Sequence, residues 1–193
     1  MKTILLHGLG QTAQDWKEVV CQLSSSNVEC PELFSSMENE ISYPQIFGDL
    51  ERRYSNAKEP LRICGLSLGA LLAIDFAIRH GDKVASLVLI GTQYKVPSLL
   101  IDFQNLIFRC MPNKAFESMG LSKSNTIKLA HSMRALDFTA QLSGILCPVN
   151  ILCGEKDSAN LKASKKLNEI LPKATLQIVP GAGHEINKDA PEA

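Results

Sequence analysis

The feature that most constrains this chain is the pentapeptide Gly65-Leu66-Ser67-Leu68-Gly69, which has the spacing G-x-S-x-G. An apolar run at residues 61–64 precedes it, and an apolar, helix-favouring segment at residues 71–78 follows it. The spacing has structural meaning when strand, tight turn and helix follow in this order. We therefore expect Ser67 to occupy a strained turn with its hydroxyl exposed, and the two glycines to avoid clashes with a neighbouring strand and helix. The alternative is a glycine-lined turn with a solvated serine, because five-residue patterns also arise by chance.

Length and charge indicate one ordinary globular domain. The 193 residues are enough for one buried core and too few for two complete domains. The 20 basic residues balance 20 acidic ones, which gives no sign of a nucleic-acid-binding or polybasic membrane surface. The N-terminal apolar run is too short for a secretory signal, and no run reaches the roughly 18 apolar residues of a spanning helix. We therefore expect a cytoplasmic monomer or homodimer with no nucleic-acid partner and no membrane span.

The cysteines follow no ligand or disulfide pattern. None of them has C-x-x-C or Cys/His spacing, so we interpret all six as small buried hydrophobes in a reducing compartment. No cluster has metal-ligand spacing, and we expect no metal and no other cofactor. The cysteines are Cys21, Cys30, Cys64, Cys110, Cys147 and Cys153.

Apolar runs alternate with amphipathic segments along most of the chain. This rhythm predicts a single α/β domain over residues 1–193, with a mostly parallel sheet of about six strands and helices on both faces. The run at residues 84–90 is continuous enough for a strand buried on both faces, whereas an extended loop is the alternative for residues 27–33. The predicted strands are residues 3–6, 27–33, 61–64, 84–90, 148–154 and 174–179.

Local signals mark three helix ends. Thr12 and Asp15 have the spacing of a capping box. Ser42 precedes a helix that has Pro44 in its first turn, so we expect it to be the N-cap. Gly81 is placed to end the helix of the G-x-S-x-G segment as a C-terminal cap.

The alternation stops between about residues 93 and 144. Helical patterns at residues 99–108 and 125–136, separated by residues 111–113 and by Gly120, make this segment too long for a simple connection and predict a short helical cap insertion. Its apolar side chains would cover the serine and favour an acyl or alkyl substrate, unless about half of them only pack the cap onto the sheet. They are Leu99, Leu100, Ile101, Phe103, Leu106, Ile107, Phe108, Met111, Phe116 and Met119.

Polar residues follow four of the predicted strands directly. They are His7, Ser67, Asp157 and His184. The carboxyl ends of parallel strands meet at one edge of a sheet, where ligands of such folds gather, so we expect these side chains to converge. The chain order Ser, Asp, His is that of hydrolases with a nucleophile elbow.

Together these motifs resemble the α/β-hydrolase fold superfamily over essentially the whole chain. Two departures stand out: the chain begins at what would be the third strand of the family, and it stops at Ala193, where a closing helix normally continues, which suggests a trimmed C-terminus. The matching pieces are residues 7–10, 65–69, 154–157 and 181–184.

The resemblance implies a catalytic role for each matched residue. Ser67 would attack an acyl carbon, His184 would take the serine proton and return it to the leaving group, and Asp157 would orient and stabilise the imidazolium. Backbone N–H groups of Leu68 and Leu9 would hold the oxyanion, so side-chain substitutions at these two positions would test the substrate pocket and not the oxyanion hole. The implied activity is a carboxylesterase-like serine hydrolase that acts on a small, largely apolar acyl substrate through an acyl-enzyme.

Each assignment has an alternative. His184 could be a solvated loop residue, and Asp157 could only cap the following helix, in which case Glu155 or Asp137 would be the acid. We interpret His7 as structural, holding the glycine loop, and His80 and His131 as surface or packing residues. The same triad would also serve a thioesterase, an amidase or a carbon–carbon hydrolase. A non-catalytic small-molecule-binding protein is the alternative of another class.

Overall fold

The computed structural model describes residues 1–23, 27–35, 41–117 and 121–193. The strands in these ranges are β1 (Thr3–Leu6), β2 (Val28–Glu29), β3 (Leu61–Leu66), β4 (Val84–Ile90), β5 (Val149–Gly154) and β6 (Ala174–Val179). The helices are α1 (Lys17–Gln22), α2 (Tyr43–Tyr54), α3 (Leu68–Arg79), α4 (Ser98–Cys110), α5 (Lys114–Glu117), α6 (Lys123–Ser132), α7 (Ser158–Ile170) and α8 (Ile186–Asp189). The six strands pair in parallel, which confirms the predicted sheet, and their order is β2-β1-β3-β4-β5-β6.

The strand boundaries agree best where an apolar run is continuous. β4 and β6 have the predicted limits, and β3 runs two residues further than predicted, to Leu66. β2 is reduced to two residues, which pair with Thr3 and Ile4 of β1. The rest of residues 27–33 therefore follows the extended-loop alternative.

Helices cover both faces of the sheet, but unequally. The larger core lies between the sheet and α2, α3 and α7 and includes Leu87 and Leu89 of β4. The smaller core lies under α1 and α8, beside a groove of about 430 Å³ lined by Trp16, Cys64 and Val88. The prediction that β4 is buried on both faces is therefore wrong for the Val88 side, which is only partly covered.

The two predicted N-terminal caps differ in their side-chain contacts. The capping box is confirmed, because Asp15 Oδ2 accepts the Thr12 N–H at 2.7 Å, although the first turn is a 3-10 helix. Ser42 does stand at the N-cap of α2, but its hydroxyl donates to Gln45 Oε1 at 2.8 Å and caps no backbone N–H. Ser42 is therefore the N-cap residue of α2, as predicted, although its side chain makes no capping bond.

The prediction that Gly81 forms the C-terminal cap of α3 is wrong. α3 ends at Arg79, and His80 already leaves the helical region at φ −132° and ψ 49° while its N–H still donates to Phe76 O at 2.8 Å. Gly81 then begins a separate 3-10 turn that leads into β4. The glycine follows the helix end and does not form it.

The segment predicted as a cap insertion contains α4, α5 and α6. Its two ends are joined by backbone hydrogen bonds, from Val96 N–H to Leu136 O at 2.8 Å and from Phe138 N–H to Tyr94 O at 3.0 Å. Gly120, the predicted separator of its two helices, lies outside the described residues. That the segment forms a cap over Ser67 stays a prediction.

The apolar residues of this segment divide into two groups. Ile101 and Phe116 are buried, at 3% and 1% exposure, and serve packing. Leu99, Leu106 and Ile107 are 82%, 58% and 45% exposed. The structure does not describe Met119 or the side chains of Leu100 and Phe103.

The cysteines are free thiols, and their burial varies. Cys153 is buried, whereas Cys21 and Cys110 are exposed. The other three are half-buried, namely Cys30, Cys64 and Cys147. The expectation that all six are buried hydrophobes is therefore wrong for all but Cys153. None of the helices in the described ranges is long and apolar enough to cross a membrane.

The glycines of the pentapeptide are a steric requirement, as the sequence predicted. A Cβ at Gly69 would overlap the carbonyl of Leu6 on β1, and a Cβ at Gly65 would overlap the backbone of Gly69. The turn can therefore pass between strand and helix only because both side chains are absent.

Gly69→Ala is expected to lower the free energy of unfolding by about 3 kcal/mol, because a rigid backbone carbonyl would have to move. Gly48→Ala is the matched control: Gly48 lies in α2 with nothing within 4 Å of its Cβ position, so alanine there should stabilise by about 0.5–1 kcal/mol. Urea unfolding measures both changes. A Gly69→Ala variant as stable as the unmodified protein would contradict this explanation.

Candidate active site

Ser67 stands at the N-terminus of α3 in a strained conformation. Its φ of 54° and ψ of −108° lie in a region that non-glycine residues rarely adopt. The turn is held on both sides, because Ser67 N–H donates to Ile90 O at 2.9 Å and Ser67 O accepts the N–H groups of Ala70 and Leu71 at 3.1 Å. Strain of this kind costs about 1–3 kcal/mol and persists only where the surrounding structure imposes it.

Asp157 and His184 are joined by a direct hydrogen bond. Nδ1 of His184 donates to Oδ2 of Asp157 at 2.7 Å, with the carboxylate 5% exposed and the imidazole 41% exposed. Asp157 occupies the N-cap position of α7, but its side chain makes no capping bond. The alternative in which Asp157 only caps the helix is therefore wrong. With the proton on Nδ1, Nε2 of His184 is the basic nitrogen.

The two replacement acids are engaged elsewhere. Glu155 Oε2 accepts the Gly181 N–H at 2.9 Å. Asp137 is exposed and pairs with Lys95 at 2.9 Å, and its hydrogen bonds to Thr139 contribute most to lowering its pKa to about 2. Neither carboxylate contacts His184.

The environment of Asp157 favours the carboxylate form. Burial raises the pKa of Asp157, but the hydrogen bonds from His184 and Asn160 outweigh it, so the pKa lies below its ordinary value. A negatively charged carboxylate thus faces the imidazole at neutral pH.

Gly91 links the serine turn to this pair. It follows Ile90, which accepts the Ser67 N–H, and has a φ of +53°. A Cβ at Gly91 would lie 2.9 Å from His184 Nδ1 and 3.1 Å from Asp157 Oδ2. Within the described ranges, Oγ of Ser67 and Nε2 of His184 take part in no hydrogen bond. The structure therefore brings Asp157 and His184 into contact and Ser67 to the same edge, without a serine–histidine bond.

The backbone amides assigned to the oxyanion hole lie on either side of the serine. The Leu68 N–H is the first of α3, and neither it nor the Leu9 N–H has an acceptor among the described residues. Leu9 follows Gly8, where a Cβ would lie 3.6 Å from Ser67 Cβ. The side chain of Leu68 is 2% exposed and belongs to the larger core, so a substitution there would also disturb packing. That substitutions at Leu68 and Leu9 test the pocket and not the oxyanion hole stays a prediction.

His7 is structural, as the sequence predicted. Its ring is fully buried, Nδ1 donates to Gly8 O at 3.0 Å, and Nε2 accepts the Leu33 N–H at 3.1 Å. Burial lowers the pKa of His7, although the hydrogen bond to Gly8 and the charges of Glu32 and Asp15 act in the opposite direction. The neutral ring thereby fixes the loop that carries Leu9.

We expect the free energy of unfolding to fall as the pH drops below about 6.5. His7 is neutral when folded and takes up a proton more readily when unfolded, so its contribution is complete above the unfolded pKa and is lost toward the lower folded pKa. Urea unfolding between pH 7.5 and 5 measures this slope. His7→Gln should flatten it, and His131→Gln, at an exposed position on α6, should not. An unchanged slope in His7→Gln would contradict the assignment.

The polar contacts between the loops were not predicted from the sequence. Gln11 is 1% exposed, and its Nε2 donates to Asn187 Oδ1 and Glu185 Oε1, both at 3.1 Å. Gln11 N–H also donates to Gly8 O at 3.2 Å. The loop after His184 is thus tied to the loop that carries Leu9. These contacts are recognised by the burial of the amide side chains, and no spacing in the sequence predicts them.

The remaining histidines lie in other surroundings. His80 contacts Glu51 at 2.8 Å and packs on Phe76, and His131 is exposed, as predicted for surface or packing residues. In the described part of the chain, no three His, Cys, Asp or Glu residues are arranged to hold a metal ion.

Comparisons with known proteins give the fold and a group of relatives. No protein-family model matches the chain. It is 23% identical to a candidate 2-succinyl-6-hydroxy-2,4-cyclohexadiene-1-carboxylate synthase of Bacillus subtilis (strain 168), over 97% of this chain and 85% of the relative. It is 36% identical to the pimeloyl-[acyl-carrier protein] methyl ester esterase of Aromatoleum aromaticum over 90 residues, which are 46% of this chain and 36% of that enzyme.

Among solved structures, a thermophilic esterase from Thermogutta terrifontis superposes with a TM-score of 0.82 and 19% identity, over 100% of this chain and 85% of that one. The agreement covers the parallel sheet and its helices. The relatives and structural neighbours include esterases and other hydrolases, which supports a hydrolase function. From its motifs, its sheet and these neighbours, we conclude that the chain has the α/β-hydrolase fold.

Proposed function

We propose that this protein is a serine hydrolase that cleaves a carboxylic ester of a small, largely apolar substrate through an acyl-enzyme. The observation that carries the proposal is the 2.7 Å bond between Asp157 and His184, at the edge where Ser67 is held at the start of α3. A buried carboxylate that holds Nδ1 leaves Nε2 free to act as a base, which is the arrangement that activates a serine hydroxyl.

The mechanism follows from these positions. Ser67 Oγ attacks the acyl carbon while His184 Nε2 takes its proton, and the charge of Asp157 stabilises the resulting imidazolium. The N–H groups of Leu68 and Leu9 receive the oxyanion, each contributing about 3 kcal/mol to the transition state. His184 then protonates the leaving alcohol. In the second half of the reaction His184 takes a proton from water as the water attacks the acyl-enzyme, and it returns that proton to Ser67 Oγ as the carboxylic acid leaves. The serine–histidine hydrogen bond forms when substrate closes the site, since such bonds are often long in unliganded enzymes.

Two observations support an ester with an apolar acyl group. The Aromatoleum relative is named as a methyl ester esterase, and its acyl group is pimeloyl. The segment between β4 and β5 is rich in apolar side chains, which would line a site of this kind.

A second candidate is carbon–carbon bond chemistry on the same three residues. The Bacillus relative, which matches over most of both chains, is named as a synthase and not as an esterase, which favours a reaction other than ester hydrolysis. Thioester and amide cleavage need the same groups and remain alternatives within the class.

Turnover of p-nitrophenyl esters with acyl chains of two to eight carbons tests the proposal. We expect hydrolysis above buffer, a dependence on chain length, and complete loss after treatment with a fluorophosphonate. Activity only toward acyl thioesters, amides or 1,3-diketones would assign one of the alternatives. Saturable binding of an apolar ligand with no turnover and no fluorophosphonate effect would replace the proposal with a binding function.

A further inference from the structure

Two amide side chains, those of Asn160 and Gln93, continue the hydrogen-bond network of the Asp157–His184 pair. Nδ2 of Asn160 donates to Asp157 at 3.0 Å from Oδ1 and 2.9 Å from Oδ2. Nε2 of Gln93 donates to Asn160 Oδ1 at 2.8 Å and to the Ala159 carbonyl at 3.0 Å. The chain of donors therefore runs from Gln93 through Asn160 to the carboxylate.

The contact with Ala159 fixes the direction of this chain. A backbone carbonyl only accepts, so the group of Gln93 that faces it must be the amide nitrogen. The same nitrogen then requires the oxygen of Asn160, which turns Nδ2 of Asn160 toward Asp157. An amide without such a partner could present either end to the carboxylate.

The position of Asn160 lets it hold the carboxylate from the side. Asn160 lies in the first turn of α7, three residues after Asp157, and is 9% exposed. Its Nδ2 is also 3.2 Å from His184 Nδ1, so the amide flanks the bond between the two residues. Rotation of the carboxylate would break both donor contacts at once.

We propose that Asn160 and Gln93 are positioning residues that keep the Asp157 carboxylate aligned with Nδ1 of His184. This inference rests on the proposed function, in which that alignment sets the basicity and the tautomer of His184. Neither amide touches the reacting atoms, and Gln93 acts only through Asn160.

Hydrogen bonds to a charged group are strong, so Asn160→Ala is expected to lower kcat for ester hydrolysis about ten- to a hundredfold with KM unchanged. Asn160→Asp keeps the shape but replaces the donor with a carboxylate oxygen, and should lower kcat at least as much. Asn168→Ala, on the same helix and without contact to the site, should retain full kcat. If Asn160→Asp is fully active, shape alone matters and the proposal is overturned.

Gln93→Ala separates positioning from folding, since Gln93 is only half-buried. We expect it to lower kcat severalfold alone and to have no further effect in the Asn160→Ala background. Additive losses would overturn the proposed order of action, and so would full kcat in Gln93→Ala.

The proton resonance of the His184 Nδ1–H in NMR spectra gives a readout that needs no substrate. We expect a downfield signal in the unmodified protein and in Asn168→Ala, and a shifted or broadened one in Asn160→Ala and Gln93→Ala. An unchanged signal in both variants overturns the inference. If the protein hydrolyses no ester but the signal responds as expected, the proposed function fails and the alignment stands.

Discussion

Ser67→Ala is expected to lower kcat for ester hydrolysis by about a millionfold, the loss seen when the nucleophile of a serine hydrolase is removed. The strained turn presents one hydroxyl at the start of α3, and no neighbouring group can replace it. Cys64 lies three residues away, but burial raises the pKa of its thiol to about 12, so it is not a thiolate at neutral pH. The measurement is the initial rate with a p-nitrophenyl ester, in a variant preparation shown to be free of unmodified protein.

Ser86→Ala is the matched control, because Ser86 lies near the start of β4, paired with Arg62 at the opposite end of the sheet. It should keep the full rate. Residual activity in Ser67→Ala within a hundredfold of the unmodified protein would mean that another group performs the attack.

Asp157→Asn is expected to lower kcat about ten-thousandfold while the fold is retained. An amide at this position can present N–H to His184, and the histidine would then carry its proton on Nε2, where it cannot accept one from Ser67. KM should change little, because Asp157 is buried behind the imidazole. Steady-state kinetics, with circular dichroism to check folding, measure the effect.

Two other carboxylates provide the control for Asp157. Asp137→Asn removes an exposed partner of Lys95, and Glu155→Gln removes the acceptor of the Gly181 N–H. Both variants should keep kcat within a few fold. A ten-thousandfold loss in either, with Asp157→Asn active, would identify a different acid.

The sheet could be predicted from sequence because its strands are apolar runs with clear limits. β4 is followed directly by Gly91 and β6 by Pro180, and both strands have the predicted bounds. β2 is different, since its pairing with β1 depends on where a loop approaches the sheet edge and not on its own residues. The end of α3 is different too, because His80 leaves the helical region one residue before the glycine that was expected to end the helix.

The Asp157–His184 contact could also be predicted, because both residues follow strands that are neighbours in a parallel sheet. Asn160 and Gln93 could not be, since they meet across 67 positions of sequence through side-chain amides that carry no periodic signal. The role of Gly91 could not be predicted either, because only the fold brings His184 and Asp157 close to its missing side chain.

The packing partners of the helices between β4 and β5 could not be predicted from the sequence. The apolar residues of these helices have helical spacing whether they face the core, as Ile101 does, or solvent, as Leu99 does. Hydrophobic periodicity identifies the face of a helix but not its partner. The substrate assignment depends on that partner and therefore remains a proposal.

The mass of a fluorophosphonate adduct tests most directly whether the Asp157–His184 pair activates Ser67. The tryptic peptide of residues 63–79 contains Ser67 as its only serine, so the label can be located without ambiguity. We expect one fluorophosphonyl group per chain on this serine, none in Ser67→Ala, and much slower labelling in Asp157→Asn. An unlabelled protein, or a label on Cys64 or outside this peptide, would contradict the assignment of Ser67 as the nucleophile.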